Sequence, residues 1–384
     1  MSNDNQLDAN NDLPYNYKID FEAENERGRD NRRRIDIMSG RGDTDSAITN
    51  TFMGFNHRIA PTAIPKNRER AGYVFFTRPD LNLSRANVQE SPRMLHMAEN
   101  GYSSAERAIL GILDPMCPYT MAGENVGGLG MDFHPQVPFD NKQAFIPLFT
   151  NRITALSGFP DNTLDVYTSE EGLKREQWSM IDSHYAVNYT FTLNATFQNL
   201  DGDVTTQLLT TWLEAMSNYY DGTFWPRTRN VIQREKNYET RIYRLIMDPT
   251  LTYVTKIGAA LAGFPVNDNL GAIMNYDAQS PMIDANDQIN IQFHCQGAAY
   301  LDPRLIEEFN EVVRTFNPDM VEAENNIGLF TPRGDMRRVP KSEIQYFNWY
   351  GYPQIDRNTK ELLWFVYEDQ YQEVMKKVRR DGNN

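Results

Sequence analysis

The chain has 384 residues, of which 40% are apolar and 12% aromatic, enough to build a core and to exclude wholesale disorder. Lys plus Arg total 38 against 52 Asp plus Glu, and a formal charge of −14 argues against wrapping nucleic acid, which needs clustered positive charge. The longest apolar run, Ile257 to Val266, is broken by Gly258, Gly263 and Pro265, and the amino end MSNDNQLDANND has neither basic start nor apolar stretch, so the expectation is a soluble chain made in cytoplasm, without membrane insertion.

Residues 1–70 are polar and hold no helical or strand period; they read as an extended arm ordered by a partner. Its mixed-charge stretch Glu24 to Arg34 fits a solvated or protein-docking segment better than a nucleic-acid contact, because acids interleave with Arg32, Arg33 and Arg34. Tyr73 to Phe76 is a short apolar strand, ended by Thr77-Arg78-Pro79-Asp80, where Pro79 cannot donate to a ladder. From about 84 to 150, Pro115, Pro118, Gly127, Gly128, Gly130, Pro135 and Pro138 predict a long irregular loop. Val187 to Phe197 alternates polar and apolar residues, the pattern of a half-buried antiparallel strand, and Ile289 to Cys295 does the same. Thr205 to Tyr219 carries Leu208, Leu209, Trp212, Leu213 and Met216 on one helical stripe. Arg304 to Phe316 repeats that stripe, with Asp302 as cap and Pro303 in the first turn. Between them, Trp225 to Ile246 reads as an exposed ribbon and a strand. After Pro318 the aromatic cluster Tyr346 to Pro353 suits packing or a protein interface, and Glu361 to Arg380 reads as a closing helix whose charges match the macrodipole.

Four landmarks recur in the same order, which is a signature of duplication. Tyr73 to Leu81 is echoed by Tyr243 to Leu251, and the Gly158-Phe159-Pro160 turn by Gly263-Phe264-Pro265. Met180-Ile181-Asp182 before Asn188 to Phe191 is echoed by Met282-Ile283-Asp284 before Asn290 to Phe293; Leu200-Asp201 is echoed by Leu301-Asp302. The first copy has a longer stretch between its corner and its Gly-Phe-Pro turn, an insertion at about 84–150. The expected fold is therefore mainly β with α, an α+β chain of two tandem antiparallel-sheet or barrel units, each with a flanking helix. The expected boundaries are an arm at 1–70, a first unit at 71–225 carrying the insertion, a second at 226–317, and a carboxyl arm and helix at 318–384.

The catalytic case is thin. Five histidines fall in no metal-binding or protease spacing, and His294 and Cys295, adjacent on a strand, point to opposite faces. The two cysteines allow at most one disulfide. Glu124, Asp132 and His134 are the one cluster in which a hydrolase would be sought; a receptor- or carbohydrate-binding module would use Trp212, Trp225 and the Tyr346–Tyr352 aromatics. No cofactor or metal is expected.

The stretch Tyr73 to Leu83, with its duplicated strand-and-helix units, resembles structural proteins of large tailed bacteriophages, in particular the tail-tube and baseplate-hub group. That resemblance covers about residues 70–316. It implies a non-enzymatic virion protein that forms a ring with copies of itself, a hexamer, or a trimer imitating six-fold symmetry if each chain holds two tube-like units. Its partners would be other tail and baseplate proteins, with DNA only as cargo passing through a lumen; a neck or tail-completion ring is the alternative position. The residues expected at interfaces are Tyr73, Phe75, Arg78, Pro79, Tyr346, Phe347, Trp349 and Tyr350.

Overall fold

The computed structural model describes residues 69–99, 105–116, 140–183, 189–233, 237–275, 278, 287–323, 330–347 and 351–381. β1 (Arg70–Phe76) leads into three short helices, α1 (Arg85–Glu90), α2 (Leu95–Glu99) and α3 (Ala105–Leu113), and then α4 (Pro147–Arg152), which runs straight into β2 (Ile153–Ser157). A small ribbon, β3 (Val166–Thr168) and β4 (Ser179–Ile181), precedes β5 (Thr190–Gln198), α5 (Val204–Asp221) and α6 (Thr228–Gln233). There follow β6 (Thr240–Met247), β7 (Val254–Pro265), the one-turn α7 (Leu270–Ile273), β8 (Gln288–Tyr300) and α8 (Arg304–Phe316). The chain ends on β9 (Met336–Arg338), β10 (Tyr352–Ile355), β11 (Leu362–Tyr367) and α9 (Glu368–Asp381).

The fold is α+β, as the alternating strands require. β1, β6, β7, β8, β5 and β2 form, in that order, one antiparallel sheet. Ile289, Ile291, Phe293 and Cys295 are buried while their neighbours are not. The Phe76 ring of β1 meets Phe197 of β5 at 5.8 Å and Phe293 of β8 at 5.4 Å. Those strands stand three and four places away, about 14–19 Å in a flat sheet, so the sheet curls until it is nearly a barrel. The strands of both sequence units thus lie in a single sheet.

Pairing follows the sequence repeat. Tyr73 pairs with Leu245, Val74 with Arg244 and Phe75 with Tyr243; since Tyr73 aligns with Tyr243 and Phe75 with Leu245, the contact is symmetric about Val74 and Arg244. Phe191 pairs with Cys295, Thr192 with His294 and Leu193 with Phe293, symmetric about Thr192 and His294. The helices break the symmetry. Leu208, Leu209 and Trp212 of α5 join the core that holds Phe76, Phe197 and Phe293, whereas Leu305, Ile306, Phe309 and Val313 of α8 join a second core with Phe75, Tyr243 and Leu245.

Three expectations are corrected. The 84–150 stretch contains regular helices at both ends: α3 buries Ile109, Leu110, Ile112 and Leu113, a stripe that the downstream prolines and glycines overshadow in the sequence. The 361–380 segment begins as a strand, because Leu362 to Val366 is an aromatic and aliphatic run buried on both faces, and the helix starts only at Glu368 and Asp369. The 225–246 stretch holds α6 before β6 in place of an exposed ribbon. At α8 the expected cap is present, the Arg304 N–H donating to Asp302 Oδ1 at 2.9 Å.

Candidate functional site

Four of the eight interface residues expected from the sequence, Phe75, Arg78, Pro79 and Phe347, lie inside the subunit. Phe75 is 1% exposed and packed against Phe145 (4.9 Å between centroids), Phe309 (5.1 Å) and Trp364 (6.1 Å). Arg78 is buried at the corner where β1 leaves the sheet. Its Nε donates to Ile112 O (3.0 Å), Nη1 to Asn141 O (2.9 Å) and Gln143 O (3.0 Å), and Nη2 to Asn141 Oδ1 (3.1 Å) and Gly111 O. One guanidinium therefore ties α3 and residues 141–143 of the insertion to the β1 corner. Pro79 is buried beside it, and Phe347 stacks on Tyr371 at 5.6 Å. Parts of the insertion and of the carboxyl segment fold back over the β1 corner and cover it. Tyr73 stays half-buried at the sheet edge, 6.3 Å from Trp364, and Tyr346 is exposed. Trp349, Tyr350, Glu124, Asp132 and His134 lie outside the described residues. Trp212 is a core residue, its Nε1–H donating to Tyr238 O at 3.1 Å, while Trp225 is exposed.

Two surface features stand out that sequence reasoning missed. The first is the β3–β4 ribbon, where Val166 pairs with Ile181, Tyr167 with Met180 and Thr168 with Ser179. Leu164, Val166, Tyr167, Leu173, Trp178, Met180 and Ile181 are all exposed, and the Tyr167 and Trp178 rings touch at 5.7 Å. Its base is held firmly. Gly158 sits at φ +105° with room for no side chain, since a Cβ there would lie 2.3 Å from Thr192 O. Tyr300 Oη donates to Pro160 O at 2.7 Å, and Phe159 packs on Phe191 and Tyr300. The signal was present as alternation at Leu164 and Val166 and again at Trp178 and Met180, but each run is too short to weigh by itself.

The second is a seam. β1 and β2 are the two ends of the sheet order, so among the described residues each has one edge without a partner strand. Only the far end of β1 is covered there, by Ile146 N–H donating to Phe76 O (2.8 Å) and the Arg78 N–H donating to Ala144 O (3.1 Å). Farther along, a slot of about 340 Å³ opens between the strands, reached by Val74 and Arg244 from one face and Tyr73 and Trp364 from the other. α4 wedges it open. Phe149 of that helix fills the space a continuing strand would need, 4.7 Å from Phe197 and 5.3 Å from Phe76.

The buried titratable groups serve the fold. Asp114 accepts the N–H of Leu83 and of Met116, both at 2.9 Å, and pairs with Arg227. Burial pushes its carboxyl up to about 6, with Arg227 pulling the other way. Burial likewise pushes the Cys295 thiol up to about 12, so at neutral pH it is no thiolate nucleophile.

A curled antiparallel sheet carrying an apolar ribbon and unpaired strand edges has the features of a subunit built to meet others. Over residues 14–380 the chain matches the family described as "Putative phage tail tube protein", and it belongs to that family of phage tail structural proteins. No curated protein matches it. Among solved structures it is similar to the tube-terminating cap of an anti-feeding prophage, at 14% identity and a TM-score of 0.24, covering 41% of this chain and 81% of that one. It is also similar to the sheath/tube terminator of an extracellular contractile injection system in its extended state, at 13% identity and a TM-score of 0.24, covering 41% of this chain and 88% of that one.

Proposed function

We propose that the protein is a non-enzymatic component of a contractile phage tail that closes into a ring, in the tail tube or the baseplate hub, by docking its β3–β4 ribbon on a neighbour. The observation that carries this is the ribbon itself. An isolated two-stranded ribbon is marginally stable in water, and this one projects seven large apolar side chains into solvent while its base is fixed to the sheet. A neighbouring subunit would remove that apolar surface from water. The formal charge of −14 supports a lumen past which DNA slides without adhering.

The number of copies follows from how many tube-like wedges one chain supplies. The symmetric pairing about Val74/Arg244 and Thr192/His294 supports an origin by duplication. Because both sets of strands share one sheet, we favour one wedge per chain and a hexameric ring over a trimer of double wedges, and we take the boundary near 225/226 as a mark of ancestry within one folded unit.

The test combines light scattering with negative-stain imaging of the wild type and a Trp178→Glu/Ile181→Glu variant. Both side chains are exposed in the subunit, so the variant keeps the wild-type circular dichroism and its stability within about 0.5 kcal/mol. Rings from the wild type and single subunits from the variant are expected. Rings from both would remove the ribbon from the interface, and tail particles that lack this protein altogether would sink the tail assignment.

A further inference from the structure

We propose that the slot between β1 and β2 receives, as an added extended strand, an acidic segment from the chain's own residues 1–25, with one of its carboxylates on the Arg244 guanidinium. The backbone at the slot is prepared for a strand. Phe76 O turns away from β6 to meet Ile146, so by the two-residue period the N–H and C=O of Val74 turn the same way, where no strand among the described residues pairs with them. An unpaired edge of this kind is a template for main-chain pairing.

The side chains say what kind of segment fits. Arg244 is half-buried and donates only to carbonyls, Tyr73 O at 3.3 Å and Leu245 O at 2.7 Å; no carboxylate among the described residues pairs with it. Burial pushes its guanidinium below the ordinary value. Thr150 Oγ1, also at the slot, is buried without a hydrogen-bond partner. The walls between, Val74, Ile153, Leu156 and Trp364, are apolar.

The chain carries a matching occupant close by. Sixty-eight residues precede Glu69, and they enter the sheet at the start of β1, beside the slot. Residues 1–25 hold Asp4, Asp8, Asp12, Asp20, Glu22 and Glu24 against a single Lys18. The intervening residues 26–68, extended, span about 140–155 Å, ample to bring the acidic stretch to the slot.

The experiment is amide hydrogen exchange with mass spectrometry on the full chain. In the wild type, fragments within 1–25 and the Val74 amide exchange about tenfold or more slowly than free chain. Arg244→Met, and independently Ala155→Arg, whose exposed side chain would fill the slot without touching the core, speed both sites together about tenfold and leave residues 26–68 unchanged. Should Arg244→Met lose the fold, Ala155→Arg alone decides. Free exchange of residues 1–25 in the wild type overturns the proposal. So does protection that survives Ala155→Arg, and so does a protected Val74 beside a free 1–25 segment, which would mean another occupant.

Discussion

Two connections in this molecule leave a strand and return to the same sheet, and they end differently. Between β6 and β7 only residues 248–253 intervene, and the Asp248 carboxylate closes them by accepting the N–H groups of Thr250 (3.1 Å), Thr252 (2.7 Å) and Tyr253 (2.9 Å). The two strands then pair from Thr240 and Gly263 down to Met247 and Val254. Between β1 and β2 the connection is residues 77–152, and the residue aligned with Asp248 is Arg78, a guanidinium that collects carbonyls where Asp248 collects N–H groups. The strands it joins never pair. Corners with a proline at matching positions, Pro79 in one and Pro249 in the other, thus serve a long excursion and a tight hairpin; the side chain before the proline decides which backbone groups it gathers.

The largest effect expected from this contrast is at Arg78. Arg78→Ala removes five hydrogen bonds of a buried guanidinium and frees the insertion from the sheet, costing about 3–4 kcal/mol, whereas Asp248→Ala loses four bonds at a partly exposed turn, one of them from Thr250 Oγ1, and costs about 1–2 kcal/mol, both read from urea unfolding. Equal losses would mean that the long connection is no more dependent on its corner than the short one. A smaller difference is expected at the paired glycines. Gly158→Ala puts a Cβ against backbone at positive φ and costs about 2–3 kcal/mol, while Gly263→Ala meets only the Cys295 Sγ, 2.9 Å away, and costs about 1 kcal/mol.

The remaining effect depends on pH. Asp114 has its folded pKa raised to about 6 from 3.8, so between those values the folded state holds a proton that the unfolded chain has lost. Stability from this group is therefore present below pH ~4 and is lost as pH rises to ~6, roughly 3 kcal/mol in all. Asp114→Asn, measured by thermal unfolding across that window, flattens the decline; an unchanged slope would show that Arg227 already holds the carboxylate charged. Because Asp114 anchors Leu83 and Met116, the same variant tests whether the long connection is the pH-sensitive one.

Much of this was legible in the chain alone. β5, β8, α5 and α8 announce themselves by period, and the order of the four recurring landmarks marks β1 and β6, and β5 and β8, as like strands; that each pair is in contact is a tertiary result. Local spacing could not show β11, where burial on both faces erases alternation, nor α3, hidden beside prolines that act only downstream. The burial of Phe75, Arg78 and Phe347 was not legible for a related reason: aromatic and basic side chains look the same in sequence whether their partner is another subunit or another part of the chain.

What the sequence determined by itself is the α+β character, the strand faces and the acidic balance, since each rests on neighbours within a few residues. Only the tertiary structure decided that both sets of strands share one sheet, that α4 holds its ends apart, and that an apolar ribbon is left in water. Those outcomes depend on which distant surfaces meet first and best, and Phe149 packing on Phe76 and Phe197, rather than any local preference, is what keeps β2 from closing on β1.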